Sequence, residues 1–208
     1  GGTTRLTRVD EGNTITDFDE EEINRKLTIS TGVAAIEWKK RKINLLDTPG
    51  FNIFIHDTKG AMVAADSSIV VVDGVSGVEV QTEKVWGFAE EFGHARLLLV
   101  NKLDRDRSDF DRAVESIHAA FGRTAVPVHL PIGKERDFKG IIDVVVMKAY
   151  EYVPDGDGIG KEIPIPANMA EAAKEAHETV VEMVAEGNDE LMQEFFDTGT
   201  IGMEHLVP

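Results

Sequence analysis

The sequence predicts an α/β fold, a parallel sheet with flanking helices, followed after about Pro127 by a small α+β subdomain. Three observations carry this. Short, nearly continuous apolar runs recur at KINLLD, SSIVVVDG and ARLLLVNKLD, ending at Asp47, Asp73 and Asp104, the pattern of strands covered on both faces. Helical apolar spacing fills the intervals between these runs, as crossover connections do. Past residue 127 the order changes to strands followed by helices, the arrangement of an α+β unit.

Residues 1 to about 30 are polar and acidic with few apolar anchors and read as a mobile loop. The basic run KKRK at 39–42, beside Trp38, lies between two strands and reads as a charged hairpin turn in preference to an RNA contact. VQTEKVWGFAEEFG puts Val85, Phe88, Ala89 and Phe92 on one helical face. SDFDRAVESIHAAFG repeats the pattern with Phe110, Val114, Ile117 and Phe121 behind a Ser108 or Asp109 cap. VPVHLPIG and FKGIIDVVVMKAYEYV then read as strands, PDGDGIGKE as a Gly-rich loop, IPANMAEAAKEAHETVVEMVAEG as a long helix and DELMQEFFD as a shorter one. On the long helix, Val180, Met183 and Val184 share a face expected to pack on its own subdomain. The expected domains are 1–126 and 127–208.

Composition bounds the function classes. The 208 residues are 42% hydrophobic without a run long enough for a membrane span, and GGTTRLTRVDEG lacks the apolar core of a signal peptide. Without cysteine there is no disulfide framework and no thiolate metal site, which fits a cytoplasmic protein. A net charge of −16 argues against a surface that clamps nucleic acid throughout, and no sequence-specific nucleic-acid motif is present. His56, His94, His118, His129, His177 and His205 are scattered without ligand spacing and are assigned surface or core roles.

In an open parallel sheet, ligands sit beyond the carboxyl ends of the strands, so Asp47 and the Asn101–Asp104 segment are expected to face one crevice. In NKLD, Asp104 is suited to accept from the ring N–H and exocyclic amine of guanine, Asn101 to bond the opposite edge, and the Lys102 stem to pack on the ring. In DTPG, Asp47 is suited to hold Mg²⁺ through water, and the Gly50 N–H, unobstructed by a Cβ, to reach a terminal phosphate. Either motif alone also reads as turn chemistry or a solvated strand end. Together, in this order and each closing an apolar strand, they point to a guanine nucleotide.

These motifs have a family resemblance. RKLTI at 25–29 looks like a first switch, DTPG like a second and NKLD like a guanine-reading motif, while GVSGVEVQTEKVW at 74–86 is similar to the segment between them in elongation factor G. FKGIIDVVVMKAYEY, the following IPIP, the long helix and DELMQEFFDTG resemble the insert that elongation factor G carries in its GTPase domain. The chain therefore resembles the translational GTPases of the elongation factor G type, with peptide chain release factor 3 as the competing relative. The resemblance implies a P-loop GTPase-type sheet, GTP/GDP and Mg²⁺ as ligands, and hydrolysis of GTP to GDP and phosphate. It implies nucleotide contacts from Asp47, Thr48, Pro49, Gly50, Asn101, Lys102 and Asp104, and metal contacts from Thr28 and Asp47. It also implies the ribosome as partner, with the insert meeting a ribosomal stalk protein.

Four departures stand out. No GK[ST] phosphate-loop sequence occurs in the chain, and the chain stops at HLVP before the family's Ser-Ala loop. The expectation is an internal fragment of a GTPase domain, truncated at both ends and weakly active by itself. Arg25-Lys26 replaces the family's Arg-Gly in the first switch, and Phe51 stands where the family has the histidine that orients the attacking water, leaving the catalytic residue unassigned. Two further readings follow: a divergent paralogue that binds GTP as a conformational signal and hydrolyses it poorly, and an interaction module acting through the insert.

Overall fold

A computed structural model describes residues 14–153, 156 and 158–206. The first thirteen positions of the expected loop, three positions of PDGDGIGKE and the last two of HLVP lie outside the described residues. The chain forms two compact units, one of residues up to Val72 together with Val78–Asn101, the other of Asp73–Gly77 with Lys102 onward. The sequence reading drew its boundary at 126/127; here the helix after the NKLD loop groups with the second unit.

In the first unit, α1 (Glu20–Arg25) replaces part of the expected loop. Its start is a capping box: Asp19 accepts from the Glu21 N–H, and the Glu22 carboxylate reaches back to the Asp19 N–H at 3.3 Å. It ends at Lys26, whose φ of 55° and ψ of 44° are left-handed. A lysine here adopts the conformation that glycine takes without strain, at a cost of about 1 kcal/mol.

β1 (Gly32–Trp38) and β2 (Arg41–Asp47) form an antiparallel hairpin in register from Gly32↔Asp47 to Trp38↔Arg41. Lys39 and Lys40, at φ 45° and 64°, supply the two positive φ values that a tight hairpin turn needs. The KKRK turn is thus as expected. The partner of β2 is not: β2, expected among parallel strands, pairs antiparallel with β1 because a two-residue turn returns the chain directly alongside itself.

α2 (Ile55–Val63) follows a 3₁₀ turn at Asn52–Phe54 and buries Thr58 and Met62. β3 (Ser67–Asp73) and β4 (Ala95–Asn101) are hydrogen-bonded neighbours connected through α3 (Val80–Glu91). Along β3, Val70 and Val72 are buried whereas Ile69 and Val71 are exposed, and Leu97 and Leu99 of β4 are exposed too. Among the described residues, one face of these strands is buried and the other exposed, where the continuous apolar runs suggested cover on both; an apolar run reports hydrophobicity and not which side is packed. α3 starts on a Glu79–Thr82 capping box and buries Ala89. Lys59 of α2 bonds Glu91 at 2.8 Å and lies 4.7 Å from the centroid of the Phe88 ring.

Among the described residues, the contiguous buried clusters lie in the second unit. α4 (Phe110–Phe121) is capped by Asp109, which accepts from the Arg112 N–H, and it buries Ala113 and Ile117. β5 (His129–Ile132), β6 (Gly140–Asp143), β7 (Lys148–Glu151) and β8 (Lys161–Ile163) form an antiparallel sheet in that order. The apolar VVVM segment is a turn between β6 and β7. Asp143 Oδ1 bends it by accepting from the Val145 and Val146 N–H groups, and Val144 turns inward to full burial.

α5 (Ala170–Glu186) completes this core: Ile132, Ile142, Val144 and Ala149 cluster with Ala173 and Val180. One position further round the helix, Val181 and Ala185 join Ile201, with Leu191 and Phe195 of α6 (Asp189–Thr198) and Leu206 of α7 (Met203–Leu206) beside them. Val184 touches both clusters, and Met183, expected on the packed face, is partly exposed.

Candidate functional site

In the first unit, the β1–β2 hairpin brings Asp47 to the carboxyl end of β2, and Thr48, Pro49 and Gly50 lead on toward α2. The buried Thr58 hydroxyl donates to the Pro49 carbonyl at 2.9 Å. Carbonyl and N–H point opposite ways across a trans peptide, so this bond fixes the Gly50 N–H facing away from Thr58. A Cβ built on Gly50 meets nothing within 4 Å. Packing therefore does not demand glycine there; the position is open to approach. Phe51 follows in an extended conformation, 57% exposed, and Lys84 donates to Asn52 at 2.7 Å. An open cavity of ≈ 690 Å³ beside it is lined by Gly50, Phe51, Val80, Gln81 and Lys84 among others.

Thr28 belongs to the same unit and donates its hydroxyl hydrogen to Asp17 Oδ1 at 2.9 Å. The segment around it is held by carboxylates. Glu22, only 2% exposed, accepts from the Ile29 and Ser30 N–H groups at 2.9 Å each, and Asp57 Oδ2 accepts from the Thr31 N–H and hydroxyl. The Ser30 hydrogen bond is the main reason the Glu22 carboxyl sits below its usual range. The donor set suits Mg²⁺: Asp47 is an exposed carboxylate, and Thr28, with its hydrogen given to Asp17, keeps oxygen lone pairs for a hard cation.

The guanine motif falls at the division: Asn101 ends β4 in the first unit, while Lys102 and Asp104 belong to the second. Lys102 has φ 61°, which turns the chain sharply out of the strand. Its Nζ donates to Asp73 Oδ2 at 2.7 Å. That hydrogen bond is the chief cause of the lowered Asp73 pKa. The loop carrying the exposed Asp104 is closed by the buried Ser108, whose hydroxyl donates to the Leu103 carbonyl at 2.7 Å. Sequence reasoning placed Asp73 at a strand end without a role, read Ser108 only as one of two candidate caps for α4, where Asp109 is the cap, and missed Glu22 and Thr58. Only the 19–22 capping pattern was a usable signal. Among the described residues, three histidines are hydrogen-bonded, His94 Nδ1 lying 2.8 Å from Ser68 Oγ, His118 Nε2 2.8 Å from the Ala125 carbonyl and His177 Nδ1 2.7 Å from that of Val144, while His129 and His205 lie 3.8 and 3.9 Å from the Asp143 and Glu194 carboxylates.

The profile of the family described as elongation factor Tu GTP binding domain matches residues 2–200. The chain belongs to this family of GTP-binding domains, and its fold and resemblance are those expected. Among its relatives, elongation factor G of Thermotoga petrophila is 36% identical over 201 residues, covering 97% of this chain and 29% of the relative. Elongation factor G of Thermotoga maritima is 35% identical over 198 residues, covering 95% and 29%. A crystal structure of a protein from Thermus thermophilus matches with a TM-score of 0.88 at 32% identity, over 98% of this chain and 30% of that one. The chain thus spans under a third of the length of these relatives.

Proposed function

We propose that the full-length gene product uses this chain to bind GTP with Mg²⁺ and to hydrolyse it to GDP and phosphate, working in the cytoplasm on the ribosome as a translation factor of the elongation factor G type. What supports this most is that β2 ends at Asp47 and β4 at Asn101 in a chain of the GTP-binding family; strand ends are where such sheets take ligands. Asp104 reads the two guanine donors, Asn101 the opposite edge, and the Lys102 stem covers the ring. Asp47 and Thr28 hold the metal, which when bound neutralises charge on the phosphate oxygens. The Gly50 N–H senses the terminal phosphate, and Thr48 and Pro49 shape the turn that presents it. The 127–208 insert meets a ribosomal stalk protein.

Asp104→Asn tests the base assignment. An amide donates to the extra carbonyl of xanthine, where a carboxylate repels it. The variant of the full-length product is expected to lose GTP by about a hundredfold or more, a few kcal/mol for unpaired polar groups, and to gain xanthosine triphosphate. Equilibrium titration with both nucleotides decides it; unchanged GTP affinity with no gain for XTP reduces NKLD to a strand end.

A further inference from the structure

We propose that Asp73 is a positioning residue for the nucleotide site, clamping Lys102 so that its stem is already set to cover the base; this rests on the nucleotide reading above. Asp73 closes β3 and lies 29 positions before Lys102 in sequence, so the pairing is a product of the fold. Its carboxylate is itself fixed. Oδ1 accepts from the Val75 N–H at 2.8 Å and the Ser76 N–H at 3.3 Å, and the Asp73 carbonyl accepts from the Gly77 N–H at 2.8 Å. Oδ2 is then aimed at the Lys102 ammonium, 2.7 Å away.

The 73–77 loop is tied down in turn. The Asp109 N–H donates to the Gly74 carbonyl at 2.9 Å, and Arg112 Nη2 donates to the Val75 carbonyl at 2.9 Å. Gly77 sits at φ +73°, and a Cβ there meets Ser116 Oγ at 2.6 Å, so the loop is seated against α4 where only glycine fits. The same Arg112 nitrogen donates to the Arg107 carbonyl at 2.8 Å, which ties the chain beyond Asp104 to this frame.

An ion pair between two loose surface side chains contributes little, because both must be ordered to form it. Here one partner is ordered before the pair forms, and what it orders is a long, flexible lysine. Anchoring the tip of that side chain removes much of the freedom that ring stacking must otherwise quench.

The test is Asp73→Asn in the full-length product, read by the dissociation rate of a fluorescent GDP. The amide keeps an oxygen for the Val75 and Ser76 N–H groups and removes only the negative charge that faces Lys102, so the melting temperature is expected to stay within about 2 °C. Dissociation is expected to accelerate about tenfold, in the range of couplings between contacting residues. In a Lys102→Met background the same change is expected to act less than about twofold, since its target is gone. A dissociation rate unmoved by Asp73→Asn, or an equal effect with and without Lys102, overturns the proposal while leaving the nucleotide site standing. Failure of the unmodified protein to bind GDP at all overturns both.

Discussion

Phe51 carries the sharpest residue-scale consequence. Beside the exposed Gly50 it presents an aromatic ring, 57% exposed, with neither a lone pair nor a proton to give to water. Positioning of the nucleophile by a side chain that can hydrogen-bond it is worth on the order of a hundredfold or more in rate. Phe51→His in the full-length product is therefore expected to raise ribosome-stimulated single-turnover hydrolysis by at least about tenfold while leaving GTP affinity nearly unchanged, because the new group acts in the transition state. Fast cleavage by the unmodified protein, undiminished by Phe51→Ala and not improved by histidine, shows that another residue positions the water. At this scale the sequence offers candidates where four neighbours carry a motif: DTPG and NKLD were expected at strand ends, and β2 does end at Asp47 and β4 at Asn101. Thr58, Glu22 and Asp73 could not be read this way, because their hydrogen bonds reach across 9, 7 or 8, and 29 positions and exist only once the chain is folded.

At the scale of elements, the segment after α1 is held by three carboxylates, of which Glu22 is the buried one and Asp17 and Asp57 are the others. Glu22 joins α1 to Ile29 and Ser30, and its pKa is lowered from 4.5. A carboxyl lowered by folding adds stability that is fully present above its unfolded pKa and is lost as pH falls through the folded value. Glu22→Ala is expected to cost about 1–3 kcal/mol at pH 7, the range for buried hydrogen bonds to a charged group. That difference from the unmodified chain should shrink on acidification below about pH 4.5. Urea unfolding of both proteins across pH 3–7 checks it; a difference independent of pH shows that Glu22 acts through packing and not through its charge. The helices with wide apolar faces, α3, α4 and α5, were readable from spacing. α1 and α2 were not, because α1 has six residues and α2 buries only Thr58 and Met62. β8 escaped notice because three residues, KEI, make a strand only by pairing with β7.

For the whole molecule, composition and motif order were enough to reach the α/β class and the family, while the distribution of packing was out of reach. Apolar runs occur in both units, yet among the described residues the contiguous buried clusters are those around Ile142 and Val181 in the second. In the first, Val33, Trp38, Ile69, Val71, Leu97 and Leu99 remain largely exposed. Local stability follows buried apolar contact, so the two units are not equally firm. A protease reads this difference directly, since it cuts where the backbone opens. The Lys39–Lys40 turn adds an exposed run of basic residues in the less packed unit, whereas Lys148 is tied across the sheet to Glu162 at 2.9 Å. Brief trypsin treatment of the 208-residue chain is expected to nick 39–42 first and to leave a durable piece containing β5 to α7, identifiable by intact mass. Early loss of that piece instead would mean that the firm half of the molecule lies elsewhere. The hairpin turn is thus the point of entry into the less packed unit, and the durable piece is released by the cuts that follow it.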